Sequence, residues 1–164
     1  MNKVAEFKKV SWSEFSKSGL TINQYNKIIL PKRATVGSAG YDFYSPISIE
    51  LKPGESYKVP TGIRVRIDNG WVLCIFPRSS LGFKFRLQLD NTTGIIDSDY
   101  FNALNEGHIF IKITNDSKEG KSIIINENDA FAQGIFFPFG ITTDDDTEGV
   151  RTGGFGSTNK KNSI

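Results

Sequence analysis

An all-β domain is the fold this sequence predicts, and three observations predict it. The chain carries 13 Phe, 5 Tyr and 2 Trp, punctuated by 16 Gly and 6 Pro, the composition of short strands joined by turns. Apolar and polar residues alternate at period two in several short runs. Between positions 31 and 140 no twelve-residue segment carries a helical apolar stripe.

Taken in order, Ile47–Leu51 alternates and stops at the turn Lys52-Pro53-Gly54-Glu55. Ile63–Ile67 alternates again with Arg64 and Arg66 on one face, and Asn69-Gly70 then supplies the positive φ angles of a tight hairpin. Trp71–Phe76 is almost wholly apolar, so both faces of this strand are expected to be buried. Phe85–Leu89 and Ile109–Ile113 alternate, and Ser122–Ile125 and Phe131–Phe137 complete the set. Strands at this spacing predict a sandwich, jelly roll or barrel. Phe101–Gly107 has room for one helical turn. Residues 1–20 are polar with scattered Phe7, Val10, Trp12 and Phe15, which leaves helix and edge strand both open. From Gly140 the chain runs through Thr142-Thr143-Asp144-Asp145-Asp146 into a glycine-rich stretch, the profile of a mobile arm. The expected organisation is a leader over 1–30 packed on the domain, a β-domain over 31–140, and an arm over 141–164.

The 164 residues suit one domain. Twenty basic against 18 acidic residues give a net charge of +2, too weak to predict nucleic-acid binding. Residues 1–33 nevertheless hold seven Lys/Arg against two Glu. A single Cys74 excludes an internal disulfide, and a lone His108 excludes a multi-histidine metal site. The same scarcity argues against Cys–His or Ser–His catalysis and for a structural or loop histidine. No apolar run approaches 18 residues and no signal-like stretch opens the chain, so a soluble, cytoplasmic protein without a membrane segment is expected.

Four clusters are candidates for chemistry. Pro77-Arg78-Ser79-Ser80-Leu81-Gly82 follows the apolar strand, and its guanidinium and hydroxyls form either an anion cradle or a turn with capping serines. Asn91-Thr92-Thr93-Gly94-Ile95-Ile96-Asp97-Ser98-Asp99-Tyr100 places two carboxylates two residues apart. In an extended chain these point the same way, as a general base, a cation pair or a solvated turn. Arg151-Thr152-Gly153-Gly154-Phe155-Gly156-Ser157-Thr158 is a glycine-rich segment whose backbone can approach phosphates. It lacks the strand–turn–helix context of dinucleotide and P-loop motifs, and its embedded Phe155 fits a lid that stacks on a flat ligand. Finally, the small residues of Val36-Gly37-Ser38-Ala39-Gly40-Tyr41-Asp42-Phe43 point to close backbone packing, with Asp42 hydrogen-bonded.

In their order and spacing these segments resemble the trimeric dUTPases, the deoxyuridine triphosphate nucleotidohydrolases. Five segments match in sequence order: Gly37–Phe43, Pro77–Gly82, Gly94–Tyr100, Asp129–Gln133 and Arg151–Thr158, within a resemblance spanning residues 30–158. The resemblance implies a jelly-roll homotrimer with sites shared between chains, cleaving dUTP to dUMP and pyrophosphate with Mg²⁺ on the triphosphate. It further implies Asp97 as the base that activates water, and Tyr100 packed under the deoxyribose to exclude a 2′-hydroxyl. Asn91 falls where the family contacts uracil, with the backbone near Gly94 and Ile96. Arg78, Ser79, Ser80, Gly82 and Gln133 are implied at the phosphates, and Asp42 in support of the site and of the metal's water shell. Arg151 is implied on the γ-phosphate, Phe155 over uracil, and Gly156, Ser157 and Thr158 in further phosphate contacts. No direct protein ligand to the metal is implied.

The chain departs from the pattern in four places. Arg151 stands four residues before Phe155 where the family has five, and Asn159 replaces a glycine at the end of the arm motif. Residues 101–107 lengthen the link after Tyr100, and residues 1–30 exceed the usual leader; either segment is a candidate contact for a protein partner. The alternatives to hydrolysis are a partner-binding protein on the same scaffold and, ranked lower, a dCTP deaminase.

Overall fold

A computed structural model describes residues 2–151 and Gly153, which fold mainly as short strands with few helical turns. Strands β1 (Ala5–Lys9) and β6 (Ile63–Ile67) pair antiparallel. A second sheet runs β5 (Ser56–Pro60), β10 (Phe110–Asn115), β8 (Leu87–Leu89). Strands β4 (Ile49–Leu51) and β11 (Ile123–Ile125) form a third. The largest sheet is five-stranded, in the order β2 (Lys32–Arg33), β3 (Tyr41–Tyr44), β12 (Ala130–Pro138), β7 (Trp71–Pro77), β9 (Gly94–Ile96). Helices α1 (Trp12–Ser16) and α2 (Ile22–Asn26) precede it, α3 (Ser79–Phe85) follows β7, and a 3-10 helix (Ser98–Asn102) follows β9.

Period-two patterning decides which faces turn inward. Ile63, Val65 and Ile67 are buried while Arg64 and Arg66 are not, and Leu87, Leu89, Ile111 and Ile113 repeat the rule on the β5–β10–β8 sheet. Phe43, Leu73 and Phe131 join them from the five-stranded sheet to make one core. The opening residues adopt both of the conformations left open: β1 is an edge strand and α1 a helix. Ser11 caps α1 by accepting from Glu14 N–H, and Thr21 with Gln24 forms a capping box on α2. Val10, Phe15 and Ile28 are buried in the core.

Three strand expectations need correction. The Asp68–Gly70 turn forms, with Gly70 at φ +82° and Trp71 N–H donating to Asp68 O at 3.2 Å. It does not close a hairpin, however, because β6 pairs with β1 while β7 enters the five-stranded sheet. Phe85–Leu89 is not one strand either: Phe85 ends α3, and Arg86 at φ +52° is its left-handed cap, which leaves only Leu87–Leu89 extended. On β7, Leu73 and Ile75 are fully buried, but Val72, Cys74 and Phe76 on the other face are only half-buried, as is Trp71 at the start of the strand.

The leader meets the core at Gly62. Its φ of +71° and its lack of a side chain are both used, since a Cβ there would lie 2.3 Å from Ile28 Cδ1 and 3.1 Å from the Phe15 ring. Gly62 O accepts from Val10 N–H at 3.0 Å, and Gly62 N–H donates to His108 Nε2 at 3.0 Å. That bond assigns the proton of His108 to Nδ1, which faces Glu14 Oε1 at 3.5 Å. His108 is thus structural. Burial lowers its pKa to about 4 despite the nearby Glu14 and Glu106 carboxylates, with Lys17 reinforcing the shift.

Replacing Gly62 by Ala should cost about 2–4 kcal/mol in urea unfolding, from left-handed strain plus overpacking against Ile28. A loss below about 1 kcal/mol would show that the leader does not press on this residue. The depressed pKa of His108 means that between about pH 6.5 and 4 the unfolded chain binds a proton the folded chain refuses. Stability should therefore fall on acidification through that window, by about 2–3 kcal/mol from this group near pH 4.5. In His108→Gln that part of the slope should vanish, and an unchanged slope would assign it to the carboxylates instead.

Candidate active site

Two groups of the predicted site residues come together, at opposite ends of one strand. At the C-terminal end of β7, three neighbouring strands deliver Asp42 from β3, Gln133 from β12 and, just past Pro77, Arg78; Asp42 pairs with Gln133, and Gln133 with Phe76. Arg78 Nε lies 3.0 Å from Asp42 Oδ1, and its Nη1 donates to Ala130 O at 3.0 Å. Gln133 Nε2 donates to Pro77 O at 3.0 Å, with its side chain lying where a Cβ on Gly40 would otherwise stand. Ser79 and Ser80 open α3 on the surface, and Gly82 N–H donates to Arg78 O at 2.9 Å in its first turn. Arg78, Ser80, Leu81, Ile124, Asp129 and their neighbours line a cavity of about 190 Å³. A fixed guanidinium beside free hydroxyls and a cavity is chemically an anion site. A larger groove of about 1020 Å³ lies elsewhere, between Lys3, Gly37–Ala39, Trp71 and Phe136.

The other group follows β9. Leu73 pairs with Ile96 and Ile75 with Gly94, so Asp97 emerges beside the N-terminal half of β7 and Arg78 beyond its C-terminal end. The five residue steps from Leu73 to Arg78 span about 16 Å of strand. Asp97 is extended, at φ −78° and ψ 157°, but Asp99 already belongs to the 3-10 helix, so the two carboxylates do not share one extended segment as expected. They converge all the same. Arg151 Nη2 reaches Asp97 Oδ2 at 2.6 Å, and Arg151 Nε reaches Asp99 Oδ1 at 2.8 Å. The Arg151 guanidinium is also 5.9 Å from the Tyr100 ring centroid. Asp97 keeps its side chain half exposed, which leaves it open to water.

Tyr100 is buried, and its hydroxyl donates to His108 O at 2.7 Å and accepts from Asn105 Nδ2 at 2.8 Å. Burial pushes the phenol's pKa up, so it stays protonated. Asn91 is exposed in the β8–β9 turn, before Gly94 and Ile96 on β9. Cys74 sits on β7, where burial and the Asp97 charge push its thiol up and away from a reactive thiolate. Phe155, Gly156, Ser157 and Thr158 lie outside the described residues.

Sequence reasoning did not assign Asp99 a role toward Arg151, although the Asp97-x-Asp99 pair was visible. It read His108 as a structural or loop histidine and 101–107 as a candidate partner contact, but gave no signal for their hydrogen bonds to Tyr100. No group of three or more His, Cys, Asp or Glu side chains among the described residues is placed to hold a metal ion. No helix among them is long and apolar enough to cross a membrane.

A family model described as dUTPase matches residues 26–159. The deoxyuridine 5′-triphosphate nucleotidohydrolase of Lactococcus lactis is 40% identical over 134 residues, covering 80% of this chain and 88% of that protein. The Paraburkholderia phytofirmans protein of the same name is 38% identical over 139 residues, covering 80% and 89%. Among solved structures, a dUTPase from Streptococcus mutans superposes with a TM-score of 0.65 at 34% identity, covering 83% of this chain and 97% of that one. The dUTPase of the Staphylococcus aureus phage phi11 shares the fold, with a TM-score of 0.65 at 23% identity over 90% of this chain and 97% of its own. With four-fifths of its length matched and the acid, arginine and tyrosine positions gathered in space, the chain belongs to the dUTPase family.

Proposed function

We propose that this chain hydrolyses dUTP to dUMP and pyrophosphate by attack of water on the α-phosphorus. One observation carries the reading: Arg151, more than fifty residues downstream, is seated on Asp97 and Asp99 beside Tyr100. A base open to water, a guanidinium fork and an aromatic wall are the parts that inline attack on a deoxynucleoside triphosphate requires. Asp97 takes the proton of the attacking water, whose oxygen bonds to the α-phosphorus as the bond to the bridging oxygen breaks and pyrophosphate leaves. The fork that Arg151 presents to two carboxylates is the geometry it presents to phosphate oxygens. Tyr100 forms the floor under the deoxyribose, and Asn91 with the Gly94–Ile96 backbone receives uracil. Phe155, Gly156, Ser157 and Thr158 close over the bound nucleotide.

The separation of Asp97 from Arg78 along β7 favours a site shared between copies of the chain, which the family resemblance makes a homotrimer. Arg78, Ser79, Ser80, Gly82 and Gln133 then serve phosphates bound at a neighbouring chain's Asp97. A divalent cation, Mg²⁺, fits as an ion carried in on the triphosphate, since a hard cation that keeps its waters needs few protein ligands. Asp42, held by Arg78, would meet its water shell. When bound, the ion neutralises phosphate charge. We further place the protein in the cytoplasm, where it keeps uracil out of DNA and supplies dUMP.

Pyrophosphate release measured with Mg²⁺ on dUTP, dTTP, dCTP and UTP should be confined to dUTP. Asp97→Asn should lower turnover by about 10²–10⁴-fold while nucleotide binding persists, as expected for a lost general base. Near-normal turnover in that variant would overturn the assignment, and ammonia released from dCTP would indicate a deaminase. Arg151→Ala, which loses a charge-assisted phosphate contact, should reduce kcat/KM by about 10- to 100-fold. An unchanged kcat/KM would remove Arg151 from the phosphate site.

A further inference from the structure

The family match begins at residue 26, yet residues before it touch the loop that holds Tyr100. Ser11 N–H donates to Glu106 Oε2 at 2.8 Å, and Ser11 Oγ donates to Glu106 Oε1 at 2.6 Å. Glu106 also stands 3.8 Å from Arg64 Nη1, and the Arg64 guanidinium lies over the Phe101 ring at 3.7 Å while Nη2 donates to Phe101 O at 2.6 Å. The residues on either side of Glu106 fix Tyr100. Asn105 Nδ2 donates to its hydroxyl, His108 O accepts from that hydroxyl, and a Cβ on Gly107 would lie 2.6 Å from Tyr100 O. Glu106 itself sits at φ +58°, a left-handed conformation that glutamate seldom adopts without outside support. The two Ser11 bonds hold its carboxyl below the usual carboxylate range, so it remains ionised.

We infer that Glu106 is a positioning residue for sugar discrimination: the two hydrogen bonds it accepts from Ser11 of the leader close the 101–107 loop and thereby set the Tyr100 ring. The inference rests on the dUTP reading above. Without Glu106 the loop loses its tie to the leader, Asn105 holds Tyr100 less firmly, and room opens for a 2′-hydroxyl. Asp97 precedes this loop and keeps its chemistry.

The test compares wild type, Glu106→Ala and Glu106→Gln in full-length protein, with kcat and KM measured separately on dUTP and UTP. In Glu106→Ala the dUTP-to-UTP ratio of kcat/KM should fall about 10-fold. KM for dUTP should rise while its kcat stays within about threefold. Glu106→Gln retains a polar partner for Ser11 and should restore most of the ratio. A purely structural role would lower kcat equally on both substrates and leave the ratio unchanged, which would overturn the inference. UTP turnover still below detection in Glu106→Ala, beside wild-type constants on dUTP, would overturn it equally. A wild-type protein that releases no pyrophosphate from dUTP would instead overturn the reading of the reaction, and this inference with it.

Discussion

Leu73 pairs with Ile96 and Ile75 with Gly94, and this short antiparallel register on β7 determines where the chemistry stands. It sends the chain after β9 toward Asp97 near one end of β7, while the chain after Pro77 delivers Arg78 at the other. A register shift of one residue would turn the buried Leu73 and Ile75 outward and move Asp97 relative to Tyr100. The register is secured from the other side by the long ladder between β7 and β12, which runs from Ala132 opposite Pro77 to Pro138 opposite Trp71. Gly134, packed against Leu73 and Phe43, has no room for a side chain at the centre of that ladder. The sheet is a ruler, and both halves of the site are read off it.

The same geometry explains why Arg151 rests on acids in the free chain. Asp97 and Asp99 place two carboxylates within reach of one guanidinium, and the bidentate pairing offsets their mutual repulsion. Both carboxylates are about half exposed, so each pair contributes only about 0.2–1 kcal/mol after solvent screening. That is enough to favour one position for the segment leading to the arm, and too little to hold it against a triphosphate.

Much of this was legible because short-range rules dominate locally. Ile63–Ile67 reads as a strand with its arginines outward and forms one, since alternation and burial agree there. The Asp97–Tyr100 and Arg78–Ser80 segments were visible as chemistry because carboxylates, guanidinium and hydroxyls cluster where apolar runs end. What failed depends on distant partners. Phe85, Leu87 and Leu89 alternate, but the left-handed Arg86 breaks the run, and five residues are too few to distinguish a helix end from a strand start. Asn69-Gly70 carries the signal of a hairpin, whereas the strand that β6 pairs with lies near the start of the chain. The outer face of β7, read as core, is only half-buried, because apolar composition alone does not say how much of a strand its own chain covers. Nothing in the sequence links Ser11 to Glu106, ninety-five residues apart.

The leader and the 101–107 loop are unequal partners. Val10, Phe15 and Ile28 are buried, and each such side chain contributes about 1.5–3 kcal/mol to the hold of the leader on the core. Two bonds from Ser11 to a carboxylate on the surface add little to that. The loop has no comparable anchor: Leu104 is 87% exposed, and the small Ala103 is its one buried hydrophobic side chain. Its order comes instead from polar ties to Ser11, Arg64 and the Tyr100 hydroxyl. Breaking the Glu106 contact therefore leaves the leader in place and loosens the loop. The consequence falls on Tyr100, whose hydroxyl accepts from Asn105 of that loop and donates to His108 just beyond it, and not on global stability. A segment outside the family match thus reaches the surroundings of Tyr100 through one surface carboxylate, without touching Asp97 or Arg78.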